Sequence, residues 1–523
     1  MMDLTIREIA QACGGKLVVQ GGGADGDTCV GSVVIDSRAV EPGGGFIATV
    51  GERVDGHSFI AAAFAKGAVL AVTQKRPEEA EAQGAPGDSW GNYVLVEDTL
   101  QALKDIAEAY RRKLSVKIIG ITGSVGKTST KEFIAAVLAE KYRVLKTEGN
   151  FNNEIGVPLT LLRIRGEHEL AVVEMGISDF GEMHRLSKMA RPDVCVMTNI
   201  GQSHLNNLKD RDGILRAKSE IFDYMAVDGE ICLNGEDDKF SSITEIKGHK
   251  PHFFGLGSSP SQEVAAVDIV SRGLWGSDAT LLMAPARPAW DCAETTAQTQ
   301  SARDCAETDA ASNVASQQAD WPGYRRLAVH VPQPGRHMVL NAAAAACVAR
   351  LFDLTDDQIA AGIGKVASVS GRTNIISHPR HTIIDDCYNA NPASVKAALD
   401  LLAMADTRKV AILGDMLNLG EDSHTYHAEI GSYAVEAGID YIYCVGEESR
   451  YMYQAAKDGA KTDASSDAQD VPRRILHYPD RNALLEAMAA DKAELVPAGS
   501  TILIKASHDC GFADILAYLR DMD

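Results

Sequence analysis

Gly123, Gly126, Lys127 and Thr128 stand in the run KIIGITGSVGKTSTKE, where residue types and spacing suit a polyphosphate. Glycines let the backbone fold tightly enough for its N–H groups to face phosphate oxygens, and a following helix presents its positive end to them. Lys127 can then reach the β- and γ-phosphates, and the Thr128 hydroxyl can ligate Mg²⁺. Ser124, Val125 and Ser129 complete a stretch expected to wrap ATP or GTP. Five residues lie between Gly120 and Gly126, one more than in the standard motif, so Gly123 reads as an extra internal glycine. Val116 to Ile121 reads as a strand and Lys131 to Lys141 as an amphipathic helix.

Other candidates fall at the ends of apolar runs. Glu174 closes LAVVEMG, and His204 lies beyond VCVMTNI. In a doubly wound sheet both positions reach the edge that carries the phosphate loop, where they could hold a second Mg²⁺ or orient phosphate. Asn150, Asn152 and Asn153 crowd the loop GNFNNEIGVPLT; side-chain amides there suit a polar substrate and the support of a turn equally well. Lys218, in ILRAKSEIFDYM, reads on its own as a solvated helix-face lysine. Further on, DDCYNANP and LGDMLNLG place polar groups after apolar strands, and Arg372 could bring positive charge to the γ-phosphate. Asx-rich turn chemistry explains the same residues, and the pattern alone does not choose.

The elements that must position these groups follow a βα rhythm. Residues 1–112 carry short strands and an alanine-rich helix near Ser58 to Lys66. Residues 113–371 hold the phosphate loop and several apolar strands, and 372–523 begin a second α/β rhythm without a GxGxxG fingerprint. The expected fold is therefore α/β in three domains: a small first domain, a central doubly wound parallel sheet, and a Rossmann-like third domain. A polar stretch at about 286–321, in which DCAET occurs twice, reads as an inserted surface loop. The net charge of −21 argues against a nucleic-acid partner. Ten scattered cysteines without CxxC pairs, no secretory pattern and no membrane-length apolar run point to a cytoplasmic protein.

Taken together, TGSVGKTSTKE, GNFNNEIGVPLTLL, EMGISDFGEM, TNIGQSHLNNL, AKSEIF, PGRHMVLNAAAA, DDCYNANPAS and LGDMLNLGEDSHTYH resemble the motif series of the Mur ligases. The resemblance covers nearly the whole chain apart from the polar insertion. It implies a first domain that holds a uridine nucleotide through Ser37 and Arg38, a middle domain that binds ATP with Mg²⁺, and a third that closes over it. By the same resemblance Thr128, Glu174 and His204 serve metal, Asn341 and Asp386 lie near adenosine, and Arg372 lies near the phosphates. Lys218 matches a lysine that is carbamylated in several members. Asn150, Asn152, Asn153, Asn389, Asn391, Lys505 and Ser507 are the expected substrate contacts, and Lys127, His204 and Lys218 the expected catalytic groups.

The implied reaction joins D-alanyl-D-alanine to UDP-MurNAc-tripeptide through an acyl phosphate, in a protein expected to work as a monomer. Some positions depart from the family pattern: Asn418 replaces a usual Glu, Cys387 a Ser, Met338 an Asn, and IKASHDCGF a KGSRGM-like ending. None touches the phosphate loop, Glu174 or His204. Deleting about Asp291 to Asp320 is expected to leave phosphate release per folded enzyme largely unchanged; a large loss in a folded deletion protein would make the insertion functional.

Overall fold

Short apolar runs bounded by polar turns build three sheets. The computed structural model describes residues 2, 4–20, 24–51, 54–81, 90–201, 205–259, 261–285, 321–367, 371, 373–417, 419–463 and 473–522. The inserted stretch therefore lies outside the described residues, as do His204, Arg372 and Asn418.

The first sheet holds β1 (Lys16–Val18), β2 (Val33–Val34), β3 (Gly45–Ile47), β4 (Leu70–Thr73) and β5 (Tyr93–Leu95), in the order β1-β5-β4-β3-β2. β1 runs antiparallel to β5 and the remaining pairs are parallel. The second sheet comprises β6 (Lys117–Thr122), β7 (Val144–Lys146), β8 (Leu170–Glu174), β9 (Val194–Met197), β10 (Glu230–Asn234), β11 (His252–Gly255), β12 (Val264–Ser271), β13 (Ser277–Met283) and β14 (Arg325–Val331). Its order is β14-β13-β12-β11-β10-β9-β6-β8-β7, and the pairs from β7 to β12 are parallel. β6 thus sits between β8 and β9, where the winding reverses. Strand ends at such a reversal open a crevice for ligand.

The third sheet contains β15 (Asn374–Ser377), β16 (Thr382–Asp385), β17 (Lys409–Gly414), β18 (Tyr441–Val445), β19 (Arg474–Tyr478) and β20 (Thr501–Lys505), in the order β15-β16-β20-β17-β18-β19. Only β15 is antiparallel to its neighbour. Alternate residues of the central strands feed two cores. Ile384, Ala411, Leu413, Ile442 and Leu503 pack with Leu399, Leu402, Ile430 and Met452; Ile383, Val410, Ile412, Tyr443 and Ile504 pack with Leu484, Met488, Ile515 and Leu519. Burial on both faces explains why these strands read as unbroken apolar runs rather than alternating ones.

The chain groups into two compact bodies. One comprises 1–268, 279–329 and 339–365 and holds the first sheet and most of the second; the other comprises 269–278, 330–338 and 366–523. The first body is tied together by the helix Thr99–Lys113. Its N-terminus is capped by Asp98, and its buried face presents Ala102, Leu103, Ile106, Ala107 and Tyr110 to one continuous core. Tyr110 Oη donates to Ile164 O at 2.6 Å, and Arg111 Nε to Ala190 O at 2.8 Å. Burying Leu103 or Ile106 fully contributes about 1.5–3 kcal/mol each by leaving water. No helix among the described residues is long and apolar enough to cross a membrane.

Candidate active site

β6 ends at Thr122, and a two-glycine turn leads into the helix Lys127–Leu138. Gly123 has φ +150° and Gly126 φ +83°, values that L side chains rarely adopt. A Cβ on Gly123 would fall 1.9 Å from Thr198 Oγ1, so that position admits no side chain. Gly120 differs from the sequence reading: it lies inside β6, buried against Met175, Pro192 and Ile221, and takes no part in the loop. The helix also starts at Lys127 rather than near Lys131. The left-handed glycine before it sets that start, whereas the apolar pattern shows only where the helix is buried. Its first turn, with Thr128 and half-buried Ser129, turns its N–H end toward the loop, as helix N-termini do.

The loop is bonded to the chain that leaves β9. Ser124 N donates to Asn199 O (3.0 Å), Val125 N to Asn199 Oδ1 (2.9 Å), and Gly201 N to Ser124 Oγ (2.9 Å). Thr198 Oγ1 donates to Val125 O at 2.6 Å. Ile200 is held from both sides, its N–H by Asp237 (2.7 Å) and its carbonyl by Arg211 (2.9 Å). The stretch leading to His204 is therefore anchored as far as Gly201. Lys127 Nζ lies over the loop carbonyls, 2.9 Å from Gly123 O and 3.3 Å from Ser124 O.

Glu174 closes β8 in register with Ile121 and is buried. Its Oε1 accepts from Thr128 Oγ1 at 3.1 Å and from Asn152 Nδ2 at 2.8 Å. Its Oε2 is buried without a hydrogen-bond partner. An unsatisfied buried acceptor of this kind costs about 1–3 kcal/mol. A hard divalent cation suits it: Mg²⁺ takes one or two carboxylates, hydroxyl oxygens, water and substrate phosphate. The residues present thus fit a magnesium ion.

Lys218, near the end of the helix Arg211–Ser219, is only 2% exposed. The solvated lysine of the sequence reading is wrong here. Burial, reinforced by the charge of Lys127, pushes its ammonium down to about 7. Asn341, on the helix Arg336–Leu351, accepts from Thr130 Oγ1 at 3.0 Å, which sets it beside the phosphate-loop helix. Asn153 uses its side-chain oxygen on the N–H groups of Ile155 and Gly156, while Asn150 is exposed. Within the Asn loop, Asn152 is the side chain that reaches Glu174.

In the second body, Lys505 Nζ donates to Asp386 Oδ2 (2.5 Å) and to Asn389 O (3.0 Å). Burial pushes the Asp386 carboxyl above its ordinary value, against the pull of Lys505. Thr373 N donates to the other Asp386 oxygen, and Asp385 caps Gly371 N. Ser507 Oγ accepts from Leu417 N at 2.9 Å, joining the end of β20 to the loop after β17. Asn391 caps the helix Pro392–Ala403 through Ser394 N, and the Asn389 side chain is exposed. In the first sheet region, Ser37 and Arg38 sit on a turn capped by Asp36, and the Arg38 side chain is 88% exposed.

Two contributors lay outside the sequence reading. Lys131 is buried with its Nζ 2.8 Å from Thr147 O, and Thr147 Oγ1 accepts from Glu174 N at 3.0 Å. The adjacent KE after GKTST was the only local signal, and a helix start placed at Lys131 hid the face it occupies.

Fold and site define an α/β enzyme that binds nucleotide through a P-loop at a sheet reversal. Three domain families match in succession: "Mur ligase family, catalytic domain" over 30–111, "Mur ligase middle domain" over 121–349, and "Mur ligase, glutamate ligase domain" over 371–508. The UDP-N-acetylmuramoyl-tripeptide–D-alanyl-D-alanine ligase of Bacillus subtilis is 32% identical over 99% of this chain and 98% of its own length. The same ligase of Escherichia coli is 29% identical over 100% and 99%. Among solved structures, a crystal structure of MurF from Acinetobacter baumannii has TM-score 0.78 at 28% identity, covering 99% of both chains. MurF ligase from Thermotoga maritima, solved in complex with ADP, has TM-score 0.69 at 25% identity over 94% of this chain and 97% of that one. The chain belongs to the Mur ligase family.

Lys127→Ala is expected to lower ATP-dependent phosphate release by about 10²–10³-fold or more, since a preorganised charge at the reacting phosphate is lost. Circular dichroism and the melting midpoint should stay near wild type. Near-wild-type turnover would remove the P-loop assignment.

Proposed function

We infer that this chain catalyses ATP-dependent amide formation between the terminal carboxylate of UDP-MurNAc-tripeptide and the amine of D-alanyl-D-alanine, a step of peptidoglycan precursor synthesis. The observation that carries this reading is a P-loop bonded to a buried glutamate, in a chain similar over nearly its whole length to ligases of that name. A carboxylate is a poor electrophile, and phosphorylation supplies the leaving group. The substrate carboxylate attacks the γ-phosphorus of ATP, giving an acyl phosphate and ADP. The dipeptide amine then adds to the acyl carbon, and inorganic phosphate leaves the tetrahedral intermediate.

Two anions must approach each other in the first step. Lys127 and the loop N–H groups counter that charge. Thr128 and Glu174, with His204, would hold Mg²⁺, which when bound neutralises phosphate oxygens. Asn341 and Asp386 are assigned to adenosine and Arg372 to the γ-phosphate; Ser37 and Arg38 take the uridine end. Asn152 orients Glu174, while Asn150, Asn153, Asn389, Asn391, Lys505 and Ser507 are assigned to the peptide substrates. Among these, Asn153 and Asn391 act through the turns they cap. The division into 1–112, 113–371 and 372–523, a monomeric state and a cytoplasmic location belong to the same reading.

Lys218 has the chemistry for carbamylation: its neutral amine adds to carbon dioxide, one proton leaves, and the amine becomes an anionic carbamate. A folded-state value of about 7 leaves a large share of the amine neutral near physiological pH. Because an unfolded lysine holds its proton to about 10.4, the unfolded chain binds more protons between the two values. The penalty of burying the ammonium is therefore full below about 7 and fades as pH rises. In ¹³C-labelled bicarbonate, a carbamate resonance should grow as pH is raised through 7 and be absent from Lys218→Met. A resonance that persists in the variant would remove this assignment.

The function is tested by following phosphate and nucleotide product with ATP, Mg²⁺ and UDP-MurNAc-tripeptide, with and without D-alanyl-D-alanine. Dipeptide-dependent phosphate release with a UDP-MurNAc-pentapeptide product is expected. Turnover with a single amino acid instead would point to a sister ligase.

A further inference from the structure

Lys131 is almost completely buried, 1% exposed, one helical turn beyond Lys127. Its Nζ donates to Thr147 O at 2.8 Å and lies 3.3 Å from Glu132 Oε1. It also lies 3.8 Å from Glu174 Oε2, the buried oxygen that has no hydrogen-bond partner. That separation is informative. It is close enough for the two charges to compensate each other, yet too long for the ammonium to occupy the oxygen as a donor. The lysine is held back by Thr147, which also binds the Glu174 backbone N–H. Thr128 and Asn152 saturate the opposite oxygen. A compensating charge thus stands near Oε2, while Oε2 itself carries no hydrogen bond.

We propose that Lys131 is a positioning residue, an internal counter-ion that holds the Glu174 carboxylate in place when no divalent cation is bound. The proposal rests on the reading of Glu174 as a cation ligand. A carboxylate buried alone is strongly destabilising, and breaking a buried pair by removing one partner leaves that charge uncompensated. A cation at Oε2 would replace the missing charge. Glu132, the second carboxylate near Lys131, also pairs with Lys146, so its charge has another partner.

The test is thermal unfolding of the full chain in EDTA and across a Mg²⁺ titration, for wild type, Lys131→Met, Lys131→Arg, Glu174→Gln and the Lys131→Met/Glu174→Gln double variant. Lys131→Met should melt well below wild type in EDTA, and Mg²⁺ should restore most of the difference, because ligand that binds only the folded state stabilises it. Lys131→Arg should stay near wild type. The double variant should melt above Lys131→Met in EDTA and lose the Mg²⁺ response. A loss in Lys131→Met that is equal with and without Mg²⁺ would overturn the proposal, as would no loss at all. If Lys131→Met folds too poorly to melt, recovery of a folded double variant still supports the pairing, and failure of both overturns it. A wild-type protein whose melting ignores Mg²⁺, with Glu174→Gln identical to it, would instead overturn the ligand assignment on which the proposal stands.

Discussion

Gly123 and Thr198 are packed too tightly for any side chain to fit between them. Gly123 leaves no room for a Cβ because Thr198 Oγ1 occupies that space, and the same hydroxyl donates to Val125 O. The phosphate loop and the chain from Thr198 to Gly201 are consequently bonded together, closed further by Asn199 and Gly201. Everything else is arranged around it: β8 brings Glu174 up on one side of β6, and β9 starts the histidine loop on the other. Preorganisation of this kind matters because a phosphoryl group moving between two oxygens offers the protein little to do except fix positions and counter charge.

The same economy shows in the electrostatics. A chain with a net charge of −21 binds polyanions only by concentrating positive charge where it is needed. Lys127, Lys131 and Lys218 converge on the end of β6 from two helices, and two of them are buried. Buried ammonium groups resist protonation unless compensated. Lys131 has Glu174 and Glu132 nearby. Lys218 instead has Lys127, a like charge, as its named electrostatic neighbour. Two lysines of similar burial therefore stand in opposite surroundings, one beside carboxylates and one beside a like charge.

Local pattern exposed the strands well. LAVVE, VCVM, EICLN, KVAILG and TILIK are apolar runs because parallel strands are covered on both faces. The phosphate loop was legible because its glycines and lysine act through neighbours in sequence. Residues whose roles depend on distant partners were not legible. Gly120 looks like a loop glycine by spacing, and only Met175, Pro192 and Ile221 reveal it as a packed strand residue. Lys218 looks solvated because helix periodicity does not say what lies across from it. Asn152 and Asn153 are adjacent and chemically identical, yet one reaches Glu174 and the other closes a turn; only the path of the loop separates them.

The helix Thr99–Lys113 precedes the middle sheet in sequence but shares its core, where Arg111 grips the carbonyl of Ala190 and the carboxylate of Asp193. Chain order and mechanical allegiance therefore part company at this helix. A chimera that exchanges the first module at the point where the first region ends in sequence would import a foreign buried face into the core of the middle sheet. A junction ahead of Thr99 leaves that face native, so the modular unit of this enzyme is shorter than its sequence segment.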